Sequence, residues 1–335
     1  MKNNHSKVII EISQKSVFFI AFFILSLVFF QNVASTLIGL FVSVLIYAAL
    51  NPIVSALEAK KIPRSLGAIL VMLTLSSSLV VLVASIIGPL ISQTISFVQQ
   101  LPILIERLAP YNIDLATITP QIVQAPGNVL KIAVGTFSGV VTFFTLLVIA
   151  YYFLDDRPRL FNHLKFIFQD EDKAKLYLKI ISEIEVRLGA WVRGMLTLML
   201  IVGSMSFAGF TLIGLPSAIP LAVIAGLLEL VTNIGPTIAA VPAVIVGFSI
   251  SPTHGFATLG LTILIQQLEN NFIVPKVMQK ASGIHPVITI FSILIGYQLG
   301  GALLAVLSLP FVISVRVIIE HLRKHPNDKL VELES

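Results

Sequence analysis

The sequence predicts an all-α fold: a polytopic helical membrane protein with about eight transmembrane segments, some broken or re-entrant. Three observations carry this reading. The 335-residue chain is 56% hydrophobic and only 12% charged, where a soluble domain carries about 25% charged residues to cover its surface. Charge vanishes over long intervals, 16–57, 65–105, 132–154, 194–228, 230–268 and 281–315. Proline and glycine interrupt the late intervals, as expected of helices that stop inside a membrane.

The elements follow from these intervals. Residues 16–57 exceed the roughly 20 residues one crossing needs, so they predict a helical hairpin turning near Gln31 to Ser35. Its first arm, "VFFIAFFILSLVFF", has leader-like hydropathy but is expected to remain as an anchor, given the many later spans. Spans are expected at 65–88, 132–154, 194–214, 219–248, 254–274 and 286–315. Residues 96–131 contain four prolines and predict short helices on the outer surface. Residues 155–193 hold eight basic and seven acidic residues and predict a cytoplasmic amphipathic region, with Leu178, Ile181, Ile184 and Leu188 at helical spacing.

The chain therefore divides into an N-terminal transmembrane region (1–154), a cytoplasmic helical region (155–193), a C-terminal transmembrane region (194–320) and a cytoplasmic tail (321–335). Basic residues set the orientation: Lys2, Lys7 and Lys15, then Lys60, Lys61 and Arg64, then Arg157, Arg159 and Lys165, belong on the cytoplasmic side, with both termini. Strict alternation then puts Lys276 and Lys280 outside, so either 269–283 dips back into the protein or one boundary is misplaced.

Catalytic patterns are absent. There is no HExxH, nucleophile elbow, phosphate-cradling glycine loop or CxxC, and no cysteine at all. An enzyme is not expected, nor a cofactor, a metal site or a nucleic-acid surface. The informative polar residues lie in two apolar stretches. In "LLELVTNIGPTIAAVPAVI", Glu229 costs roughly 2.5 to 3.5 kcal/mol at a bilayer centre, so it belongs against protein or water. Asn233, Gly235 and Pro236 form a helix-breaking turn that frees backbone carbonyls nearby. In "IQQLENNFIVPKVMQK", Gln266, Gln267, Glu269 and Asn270 make a polar knot, with Gln266 and Asn270 four residues apart on one helical face. These eight residues are the expected transport pathway. Pro242, Pro275, His285 and Arg316 are the expected gating positions.

These clusters, with "YYFLDDRPRL", "GAWVRGML" and "GIHPVITIFSILIGYQLGGALLAVLSLPF", make the chain resemble the autoinducer-2 exporter family, the PerM-like permeases. The resemblance spans nearly the whole chain. It implies an eight-span bacterial inner-membrane protein that forms a homo-oligomer. It also implies transport, either export of autoinducer-2 or a related small polar solute, or exchange of sodium or lithium for protons. A membrane scaffold is the non-transport alternative. The partners expected are a small polar solute or monovalent cation, and membrane lipids.

Overall fold

A computed structural model describes residues 14–81, 125–216, 218–231, 235–278 and 284–324. The described elements are helices: α1 (Gln14–Ala59), α2 (Arg64–Val81), α3 (Ala125–Asp156), α4 (Leu160–Phe168), α5 (Glu171–Ile213), α6 (Ala218–Leu228), α7 (Gly235–Ile250), α8 (Pro252–Leu268), α9 (Val274–Val277) and α10 (Pro286–Lys324). A 3₁₀ turn at Arg157–Arg159 follows α3 and a π turn at Glu269–Ile273 follows α8. Among the described residues, four helical stretches are long and apolar enough to cross a membrane: Val33–Ala59, Arg64–Val81, Glu171–Ile213 and Val287–Arg323. Their outward faces are apolar, with Leu73, Leu200 and Leu212 all exposed, as suits contact with lipid chains. The chain is therefore an all-α, polytopic membrane protein. Most of the expected outer-surface segment, 96–124, lies outside the described residues.

Several expected boundaries are corrected. The hairpin expected in 16–57 is one continuous helix, because Gln31 to Ser35 contains no proline or glycine to break it. The amphipathic segment to Arg193 and the span expected from Gly194 are likewise one helix, α5. Asp170 caps α5, its side chain accepting from the amides of Asp172 (2.9 Å) and Lys173 (3.2 Å). Gly214, at φ 83°, ends it in the left-handed conformation that glycine tolerates best.

The single span expected at 219–248 is instead a pair of short antiparallel helices. Leu221 and Ala222 of α6 pack with Ala243 and Val246 of α7, and Gly235 lies against the backbone of Leu228. At 11 and 16 residues the arms reach about 16 and 24 Å, short of a hydrocarbon core of about 30 Å. α6 and α7 thus form a helical hairpin in which neither arm is long enough to cross alone. Helix α8 then runs antiparallel to α7 after a tight corner at Ser251, whose side chain accepts from the amide of His254 (3.2 Å). Phe248 and Phe256 pack edge to face across that corner at 5.2 Å.

The expected final span, 286–315, is also folded back. Gly300 and Gly301 are non-helical, and Gly301 has φ 66°. A Cβ on Gly296 would lie 3.0 Å from Cα of Ala305, although a straight helix would separate them by about 13 Å. α10 is therefore two antiparallel arms.

These reversals bear on Lys276. The α6–α7 hairpin adds no crossing, so α8 starts at the far end and returns toward the charged end. There Met278 meets Gly194 of α5. Of the two explanations for Lys276, a misplaced boundary is the one that fits, since 219–248 is two helices and not one span; Lys280 lies outside the described residues.

Polar contacts hold the charged end together. Arg64 donates to the carbonyl of Leu154 (2.6 Å), to Asn51 (2.6 Å) and to Glu58 (2.7 Å), tying α1, α2 and α3. Arg157 pairs with the buried Glu185 at 2.8 Å and donates to Ser182 at 2.7 Å. Arg193 donates to the carbonyls of Ala48 (3.3 Å) and Ala49 (3.0 Å). Pro52 explains the first of these bonds: it lacks the amide that would pair with Ala48 in an α-helix, and Arg193 supplies a donor from a neighbouring helix. Arg193→Ala should destabilise the protein by about 1 to 3 kcal/mol by orphaning that carbonyl. Adding Pro52→Ala should recover part of the loss in thermal unfolding; equal losses in the single and double variants would contradict this pairing.

Candidate functional site

Glu229 follows α6 and Glu269 opens the π turn after α8, so two carboxylates come from elements that end at the same depth in the bundle. Both are buried, at 3% and 5% exposure. They line one cavity of about 30 Å³ with Ser206 and Phe210 of α5, Pro236 of α7, and Thr262 and Gln266 of α8. The amide of Gln266 donates to Glu269 across 3.5 Å. Oε1 of Glu229 is buried and accepts no hydrogen bond among the described residues. The site thus has two adjacent carboxylates, one free acceptor and room for roughly one water molecule.

The local sequence explains this placement. Gly235 packs so tightly on the carbonyl of Leu228 that any side chain would collide with it. That contact seats the start of α7 against the end of α6, next to Glu229. Pro236 sits in the first turn of α7, where an amide is unpaired anyway. Pro275 cannot supply the amide that the carbonyl of Asn271 would take in an α-helix. The chain widens there into a π turn, with the amide of Val274 donating to the carbonyl of Glu269.

The structure brings together only part of the expected set. Glu229, Pro236, Gln266 and Glu269 line the cavity, and Gly235 shapes its wall. Gln267 and Asn270 are exposed and face away, and Gln267 instead accepts from Asn271 at 3.2 Å. The face expected to join Gln266 with Asn270 is broken by the π turn, which shifts register after Leu268. Asn233 lies outside the described residues. None of the expected gating positions lines the cavity. Pro242 is within α7, Pro275 is exposed after the π turn, His285 accepts from the amide of Val287 (3.3 Å) at the start of α10, and Arg316 pairs with Glu320 at 2.7 Å.

Sequence reasoning missed Ser206 and Thr262. Each is one of several hydroxyls in its helix, a pattern that fits ordinary back-bonding equally well. Among the described residues no cluster of three or more acidic, histidine or cysteine side chains forms a multivalent metal site.

Gly235→Ala should abolish the hairpin geometry, lowering the yield of folded protein and any transport together. Gly260→Ala, in open space on α8, should leave both unchanged. Size-exclusion profiles of the two variants check this, and a well-folded, active Gly235→Ala protein would contradict the tip contact.

Comparison with known proteins agrees with this architecture. Residues 17–324 match the profile of the AI-2E family transporters. The chain is 31% identical over 294 residues to the putative transport protein YueF of Bacillus subtilis, covering 79% of this chain and 78% of that one. A putative transport protein of Thermotoga maritima is 25% identical over 303 residues, covering 85% and 89%. A second Bacillus subtilis protein, the putative transport protein YrrI, is 28% identical over 141 residues, 42% and 40% of the two chains. The helical bundle, its apolar outer surface and this match over nearly the whole chain establish that the protein belongs to the AI-2E transporter family, as a multi-pass membrane transporter rather than an enzyme.

Proposed function

We propose that this transporter moves a monovalent cation or a small polar solute, with Glu229 and Glu269 as the charged centre of its pathway. The supporting observation is the pair itself. Two neighbouring carboxylates buried in an apolar bundle repel each other and lose hydration, so they are stable only with one shared proton or one cation between them. Oxygen ligands suit a hard cation such as sodium or lithium. Alternation between proton and cation at one site is the minimal device for antiport.

The size of the cavity orders the two readings. About 30 Å³ takes an ion or a water, whereas a sugar-like solute such as autoinducer-2 needs several times that volume. Export of such a solute therefore requires the α6–α7 tip to withdraw, with Asn233, Gln267 and Asn270 supplying hydrogen bonds as the path opens. The exchange of sodium or lithium for protons needs no such widening, and it is the reading favoured here.

The charged end is assigned to the cytoplasm, because Lys60, Lys61, Arg64, Arg157, Arg159 and Lys165 gather there and Lys276 joins them. In this topology α1 (through Val33–Ala59), α2, α3, α5 and α8 with its π turn cross fully, while the α6–α7 pair enters from outside and α10 from the cytoplasm. Five full crossings and two re-entrant pairs then replace the eight spans expected from the charge gaps. A homo-oligomer in a bacterial inner membrane is the assembly proposed from the family resemblance.

Proteoliposomes test the function. Imposed sodium or lithium gradients should drive proton movement in wild-type vesicles, and Glu229→Gln or Glu269→Gln should lower the rate at least about tenfold, the effect of roughly 1.4 kcal/mol. Labelled autoinducer-2 flux that survives both substitutions, with no cation-linked proton movement, would overturn the assignment of the carboxylate pair.

A further inference from the structure

At the charged end, outside the cavity, α5 and α10 are joined by a row of alternating charges. His321 faces Glu183 at 3.3 Å, Glu183 pairs with Arg187, Arg187 reaches Glu320 at 3.0 Å, and Glu320 pairs with Arg316 at 2.7 Å. Glu183 and Arg187 come from α5; Arg316, Glu320 and His321 come from the second arm of α10. His321 is the buried member of this row, at 8% exposure.

Both of its ring nitrogens face acceptors. Nδ1 lies 3.0 Å from the carbonyl of Val317 and Nε2 lies 3.3 Å from a carboxylate oxygen of Glu183. A neutral imidazole has one N–H, so either tautomer leaves a lone pair directed at an oxygen. Only the imidazolium donates to both. The observed geometry is complete with one added proton and frustrated without it.

We propose that Glu183 and His321 form a proton-operated clasp that locks the α10 hairpin against α5 in acid and releases it in alkali. Histidine is the side chain suited to such a change between about pH 5 and pH 8. The surrounding charges set the direction. Arg187 is engaged by Glu183 and Glu320, and Arg316 by Glu320, so with neutral His321 the row loses its terminal cation and Glu183 keeps only Arg187. Release would free the arm that carries Leu304, Leu307 and Phe311 against α1. The clasp is far from the carboxylate pair, since Glu183 and Val202 are 19 residues apart on α5, about 28 Å. It regulates the bundle without touching the transported species.

The chain has no cysteine, so introduced pairs are unique labels. Spin labels at Lys179→Cys and Arg323→Cys, both exposed positions, report the α5–α10 separation by pulsed electron resonance in the full-length protein in nanodiscs. Between about pH 5.5 and pH 8.5 the ratio of short to long distances should fall about tenfold, as expected for losing a charge-assisted hydrogen bond. His321→Gln and, separately, Glu183→Gln should each abolish the pH response while retaining a resolved distance distribution. A wild-type separation that does not change with pH, or a response that survives in either variant, overturns the clasp. The readout is a distance, so it stands or fails independently of any transport assay.

Discussion

The C-terminal half of this protein is organised around the cost of placing two carboxylates inside an apolar bundle. Glu229 and Glu269 each avoid lipid by ending a helix that faces the interior, and each does so through a local break in regular structure. The end of α6 brings Glu229, and the end of α8 brings Glu269, to one cavity. Neither break is tolerable in hydrocarbon. Surrounded by α5, α7 and α8, both become the walls of a small polar cavity.

The same rule operates away from the site. A proline in a membrane helix removes one amide donor, and at Pro52 and Pro275 the structure answers with a specific substitute. Arg193 reaches across from α5 to the carbonyl that Pro52 leaves free in α1. Pro275 is accommodated by widening the preceding turn, so that the amide of Val274 reaches Glu269. Where a full reversal is needed, Gly301 takes a positive φ and Gly296 lets the returning arm approach. Charge at the opposite extreme is handled by pairing, as in the buried Arg157–Glu185 contact. That pair links the turn after α3 to α5, and its net stabilisation is reduced because both ions lose hydration.

Much of this was legible in the sequence, but unevenly. The composition identified a membrane protein, the lone acid in an apolar run pointed to Glu229 because its burial in lipid is costly, and the polar knot pointed to Glu269. The turn at Gly235 and Pro236 was legible from backbone chemistry. What failed was continuity. A charge gap measures apolar length and says nothing of whether a helix turns within it, so 16–57 was read as a hairpin and 219–248 as a span, each the reverse of the fold. Helical spacing also misled at Asn270, since a single π turn rotates every following residue. Lys276 was the residue that exposed the error, being a cation that alternation placed on the wrong side.

The account rests on the claim that the buried pair never carries two uncompensated negative charges. Infrared spectroscopy of the purified protein, with isotope-labelled glutamate and no sodium or lithium, tests this most directly. The account predicts a protonated-carboxyl band that disappears in both Glu229→Gln and Glu269→Gln and is lost from the wild type when sodium or lithium is added. A spectrum of fully ionised carboxylates in the cation-free wild type would contradict it.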